Sequence, residues 1–364
     1  MKEDNIKISK REKEVGKRIL FLYAGFNRAN LLKNYEKGLA PNTAFFGMIC
    51  LKKFYGEKVS FLELGQVFSY KIELLVRKYL GFNLIHLFLL PKIYLYDVVV
   101  SFVSLPVLFF KSFTPRFPKW YIFNIHLSNL LKRNKKNKFK YLFILNIIKK
   151  SDRIICLSNS QIDFLLSLGI ERKKLFFLNF GVDKDYFSYS EKNDNYILSV
   201  GKDNGRDYET LIQVARNVDF KFIIIASKRN IKNIPSNVKV FYDLEYNDLR
   251  DFYERASLVV VPSTKENDFD SSDCSGQTVI LDAMACGKAV VASYRSWMKD
   301  YFKFGEDMIS FEPENSKDLE EKILNLLGDL EIRKRIGIEA RRSIEERLNS
   351  EVMASELNRL FELV

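Results

Sequence analysis

Apolar residues come along this chain in short continuous runs bounded by turn residues, and the runs recur through both halves. In the first half they are RILFLYAG, KVSFLEL, DVVVSFV, KWYIFNIH, DRIICLS and KLFFLNFG. In the second they are NYILSVG, FKFIIIAS, NVKVFYD, ASLVVVPS and KAVVAS. A run that does not alternate with polar residues is covered on both faces, so these read as buried parallel strands. Between many of them, as in SQIDFLLSLGI and DYETLIQVARNV, apolar positions fall at the spacing of a helix with one buried face. Strand and helix in alternation predict doubly wound α/β sheets. After KAVVAS the pattern is helical to the end of the chain.

The polar stretch NFGVDKDYFSYSEKNDNY separates the last run of the first half from a new strand and a glycine-bearing loop. That places two domains at residues 1–185 and 186–350, followed by a terminal helix over 351–364, an arrangement that a length of 364 residues suits.

Composition narrows the class. With 47% hydrophobic and 29% charged residues the chain has enough apolar surface to fold as a globule. Cys50, Cys156, Cys274 and Cys286 lack metal-ligand spacing and only two histidines accompany them, so no metal site is expected and a reducing cytoplasm fits. The N-terminus MKEDNIKISKREKEVGKR is too charged for a signal peptide. The one candidate membrane span, Ile93 to Phe110, is interrupted by Asp97 and Pro106. A central Asp would cost about 2.5–3.5 kcal/mol, so the segment reads as a buried strand and then a short helix with Pro106 in its first turn, partial insertion at a membrane interface being the alternative.

The net charge of +12 is concentrated, with six Lys and Arg between Leu130 and Tyr141. Such a patch suits an anionic membrane surface or nucleic acid, or is a solvated helix face; charge alone does not choose.

In an open α/β sheet ligands bind beyond the carboxyl ends of the strands, and four such loops carry unusual residues. The first is SGQTVILDAMACGKAVVAS. If Gly276 starts a helix, Ser275, Thr278 and Asp282 share a narrow polar stripe. Gln277 stands with Gly276 at a tip whose free amides suit a phosphate, and Asp282 can accept from ribose hydroxyls farther along. The other reading of TVIL is a strand with Asp282 in a turn, but AMACG is helix-forming and Gly287 suits a C-cap. In SVGKDNGRDYETL, Lys202 and Arg206 follow Gly201 closely enough to clamp a diphosphate, or are ordinary exposed charges at a helix start. His126 follows KWYIFNI; His86, within GFNLIHLFLL, reads as a core histidine. Gly25 ends the first strand with Arg28 nearby, where a simple tight turn explains it equally.

GQTVILDAMACGKAVVAS, with LVVVPS upstream, resembles the nucleotide-sugar segment of family 4 glycosyltransferases of the GT-B fold. The segment from KKSDRIICLS to NFGVDKDYF is similar to that family's interdomain entry, and the resemblance extends over most of residues 18–364. It implies two Rossmann-like domains facing a central cleft and a C-terminal helix crossing back to the first domain. It implies a UDP- or GDP-sugar donor held mainly by the second domain, transfer with retention, and no required cofactor or metal. It places Asp282 on the ribose, Lys202 and Arg206 on the diphosphate, His126 at the donor sugar and Gly25 near the donor phosphates and the acceptor. The family's motif has two glutamates; Asp282 fills the second place and Cys274 the first, so Asp273 or Glu266 is expected to substitute. The acceptor is expected to be a saccharide or lipid-linked saccharide bound by the first domain of a protein peripheral on the inner face of the cell membrane. Because of Cys274, a sugar-nucleotide or membrane-binding homologue without turnover stays open, as does a UDP-sugar epimerase. Nucleic acid is not expected, since it gives Asp282 no role. The oligomeric state is not legible.

Overall fold

The computed structural model describes residues 16–363 except 24, 26, 64, 67, 81–83, 103, 115, 229–230, 232 and 267–272. The side chain of His86 lies outside what is described. The first sheet contains β1 (Ile19–Leu22), β2 (Val59–Leu62), β3 (Val98–Ser101), β4 (Lys119–Asn124), β5 (Arg153–Cys156) and β6 (Leu175–Phe177). Its order is β2-β1-β3-β4-β5-β6, every neighbouring pair parallel. The second contains β7 (Tyr196–Gly201), β8 (Lys221–Ala226), β9 (Val238–Phe241), β10 (Leu258–Val261), β11 (Val290–Ser293) and β12 (Ile309–Phe311). It runs β12-β11-β10-β7-β8-β9, again all parallel.

The runs rich in Val and Ile became strands because both faces are covered by helices: β1, β3, β10 and β11 are buried along their whole length. Eleven of the strands fall in the apolar runs, and β12, three residues at a sheet edge, does not. Ile93–Phe110 divides into β3 and the helix Leu105–Phe110, with Pro106 in the first turn. Among the described residues no helix is long and apolar enough to cross a membrane.

In each sheet the chain first winds to one side and then returns to the other. The reversal lies between β1 and β3 in the first sheet and between β7 and β10 in the second. Loops diverge at such a switch point and open a crevice, which here is filled by the segments after β7 and β10.

The two domains share one apolar cluster that includes Phe21, Phe180, Phe187, Val259 and Tyr301. The chain crosses between them twice, and the crossings pair: Val182 N donates to Leu348 O at 3.1 Å and Ser350 N to Val182 O at 2.9 Å. A Cβ on Gly181 would sit 2.2 Å from Asn349 O, so only glycine allows this approach. Asn349 caps the last helix, Ser350–Glu362, accepting from the amides of Glu351 and Val352. That helix buries Met353, Ala354, Leu357, Leu360 and Phe361 and packs on the helix Met48–Tyr55 of the first domain. The C-terminal helix therefore returns to the first domain.

Candidate active site

A cavity of about 330 Å³ lies between the domains at the second sheet's switch point. The second domain lines it with Gly201, Lys202, Asp203 and Arg206 after β7, and with Cys274, Ser275, Gly276, Gln277, Thr278 and Val279. The first domain supplies Phe46, Asn124, Ile125, His126, Leu157, Gln161 and Phe180.

The stretch after β10 forms the helix Gln277–Ala285. Gly276, at φ 88°, is its N-cap, a left-handed conformation that glycine adopts without strain. Gly287, at φ +71°, ends it with its amide on Met284 O at 2.9 Å. The helix thus points its N-terminal amides, with their partial positive charge, at the cavity. TVIL is helix, not strand, because Ile280, Leu281, Ala283 and Met284 are buried around it and tertiary packing overrides the β-branched preference.

Arg206 is the most constrained cation of the site. A Cβ on Gly201 would lie 1.9 Å from its Nε, and one on Gly276 3.1 Å from its Nη1, so two glycines form its walls. Its Nη1 donates to Ser263 Oγ at 3.3 Å. Nε lies 3.3 Å from Asp203 Oδ2, an ion pair without hydrogen-bond alignment. Asp203 Oδ1 meanwhile accepts from Ser275 Oγ at 3.1 Å, tying the two loops together. Lys202 lines the same wall with a half-exposed side chain whose Nζ is 3.0 Å from the exposed Asp243. His126, two residues after β4, occupies the N-cap position of the helix Leu127–Asn134 and lines the cavity from the opposite domain.

Cys274 is buried at the cavity wall, and Gln161 Nε2 of the other domain donates to its Sγ at 3.9 Å. Burial and the neighbouring Asp273 push its thiol well up, so at neutral pH it is a thiol and not a nucleophilic thiolate. The two carboxylates expected to substitute for it do not reach the wall. Asp273 is committed to Lys132 of the first domain at 2.9 Å, and Glu266 accepts from Ser296 N and Oγ at 2.6 and 2.9 Å.

Asp282 also lies off the cavity lining. Four residues beyond Thr278 it is on nearly the same helix face but about 6 Å farther along the axis, under Tyr246, Tyr253 and the crossing residue Asp183. Burial and Asp183 hold its carboxyl well above the usual range. Among the described residues its Oδ1 has no hydrogen-bond partner, a costly state for a buried acceptor. Gly25 sits beside Arg28, whose guanidinium lies 4.0 Å over the Tyr23 ring and donates to Ala44 O; neither lines the cavity.

Sequence reading missed Asp203, although it stands in sequence between the two cations and pairs with Arg206, and acidic neighbours in a cationic loop are a usable signal. It also missed Gln161, Asn124, Phe46 and Phe180. They carry no chemical motif and become site residues only when the two domains meet.

Residues 183–343 match the family model described as glycosyl transferases group 1. The chain is 26% identical over 314 residues to an uncharacterized glycosyltransferase of Methanocaldococcus jannaschii, spanning 84% of this chain and 80% of that one. Its fold is that of Anabaena HepE in complex with UDP-glucose, with a TM-score of 0.72 and 14% identity over 96% of this chain and 100% of that one. Sucrose-phosphate synthase from Thermosynechococcus elongatus superposes equally, with a TM-score of 0.72 and 14% identity over 95% and 99% of the two chains. Two parallel six-stranded sheets facing a cleft are the GT-B fold, and residues 183–343 of this chain are similar to the glycosyl transferases group 1.

Proposed function

We propose that the protein is a retaining, metal-independent glycosyltransferase that moves a sugar from a UDP- or GDP-sugar to a hydroxyl of a lipid-linked saccharide or surface-polysaccharide precursor. The observation that carries this reading is the convergence of two cations and one helix N-terminus at the switch point, with His126 across the cleft. Lys202, Arg206 and the amides following Gly276 hold the diphosphate and take up the charge that grows on it as the sugar leaves. Arg206 does so from a buried position, where fixed donors act more strongly than in bulk solvent. The acceptor oxygen attacks from the face the diphosphate leaves, and the departing phosphate oxygen takes its proton. That order of events needs no separate carboxylate base. Asp282 meets the ribose hydroxyls, a role supported by the acceptor oxygen it leaves open. His126 faces the donor sugar. Gly25 lies on the acceptor side, supported by its place after β1 at the first sheet's switch point.

A second reading, donor binding without turnover, is favoured by one observation: a buried thiol and an amide stand where a carboxylate would meet the donor sugar. The two separate on incubating the purified protein with a panel of UDP- and GDP-sugars and following nucleotide release by mass spectrometry, wild type beside Asp282→Ala. Release from one donor, lost in the variant, supports the transferase. Nucleotide binding with no release from any donor, with or without a membrane lipid extract, favours the binding protein.

A further inference from the structure

From Val98 to Ser151 the chain has eleven Lys and Arg and no Asp or Glu. Within this stretch the helix Lys138–Ile148 buries Ile144, Leu145, Ile147 and Ile148 against the first domain. Its opposite face should then be polar. Instead that face presents Phe139, 89% exposed, together with exposed Leu142 and Phe143. Phe143 is continuous with a second element, since its ring lies 5.9 Å from Phe109, which in turn meets Phe110 and the 66% exposed Phe113. The helix Leu105–Phe110 also packs on the segment Leu84–Leu89, which exposes Phe88. Around this apolar face stand the exposed Lys135, Lys136, Lys138 and Lys149. The helix Leu127–Asn134 leads from His126 at the cavity directly into the basic turn, a span of about 12 Å.

We infer that this face, centred on Phe139, Leu142, Phe143 and Phe113 and ringed by lysines, docks the first domain on an anionic lipid bilayer. Aromatic and aliphatic side chains enter the boundary between headgroups and acyl chains while lysines meet the lipid phosphates, and neither contribution alone gives firm attachment. The absence of acidic side chains within these elements matches a negatively charged surface, and Asp152, just beyond them, is held by Lys111 and Lys119. Docking would bring the cleft within one helix length of the bilayer. That last consequence for a lipid-linked acceptor rests on the transferase reading; the docking does not.

The test is flotation of the full chain with vesicles of phosphatidylcholine alone and of phosphatidylcholine with phosphatidylglycerol, at low and high salt. Two variants accompany it, Phe139→Ser/Phe143→Ser and Lys135→Glu/Lys136→Glu/Lys138→Glu. All five side chains are exposed, so circular dichroism should show folding unchanged in both. The wild type should float with the anionic vesicles at low salt, less at high salt and not with phosphatidylcholine alone. Each variant should lose binding by ~10-fold or more. A wild type that stays unbound overturns the inference, as does binding that survives both variants. A dimer in sedimentation velocity that Phe139→Ser/Phe143→Ser dissolves, with no flotation, also overturns it and assigns the face to a second copy. UDP binding measured on the same samples keeps the two readings apart: lost docking with intact UDP binding leaves the donor site standing, and docking without UDP binding leaves this inference standing.

Discussion

Arg206 shows how much of the site hangs on atoms that are missing. Its side chain is walled by Gly201 and Gly276 and aimed by Asp203 and Ser263. Gly201→Ala would force Nε aside, so kcat should fall by ~10²-fold while secondary structure by circular dichroism stays intact; an unchanged kcat would show that Arg206 needs no fixed position. Lys202 is the contrasting case. Its partner Asp243 is exposed, and such a pair is worth about 0–1 kcal/mol at most, so Lys202→Ala should leave urea unfolding within about 0.5 kcal/mol of wild type. Its turnover should nevertheless drop by ~10²-fold. Asp282 yields a prediction in pH. Its carboxyl titrates higher folded than unfolded, so its contribution to stability is fully present below the unfolded value and is lost as pH rises toward the folded one. Asp282→Asn removes that dependence. The stability gap, variant minus wild type, should be smallest near pH ~4 and widen upward by at most ~1.4 kcal/mol per pH unit. Denaturation curves that stay parallel across pH would mean the acid is not held protonated.

At the scale of elements, the helix Gln277–Ala285 was legible because two glycines bracket it: Gly276 enters and Gly287 leaves with positive φ. Its contacts were not legible. The helix Leu330–Arg347 crosses it so closely that a Cβ on Gly337 would lie 2.2 Å from Gly287 O. Gly337→Ala should therefore push the helices apart and lower the urea midpoint by an amount equal to about 1–3 kcal/mol, despite the better helix propensity of alanine. A higher midpoint would show that the crossing relaxes freely. The strands followed directly from unbroken Val and Ile runs, whereas β12 was too short to leave a pattern. The helix Lys138–Ile148 misleads in the opposite direction, since apolar residues on both faces look like a core helix until the structure shows one face in solvent.

At the scale of the molecule, the order of strands decides where chemistry collects. The second sheet's reversal of winding faces the cleft, and the loops after β7 and β10 meet there only because β10 returns beside β7. Lys202, Arg206 and the helix tip, singled out in the sequence as loops after strands, line one cavity because of that juxtaposition. Gln161 and Asp273 belong to contacts between domains, Gln161 with Cys274 and Asp273 with Lys132, and no local pattern encodes those. The central claim is transfer. It is tested most directly by supplying a donor labelled separately in its sugar and its base, together with a membrane lipid extract, and following each label. Transfer puts the sugar label in the lipid-saccharide fraction, with its anomeric configuration retained, and the base label in free nucleoside diphosphate. A sugar recovered still joined to its nucleotide, intact or epimerised, would contradict it.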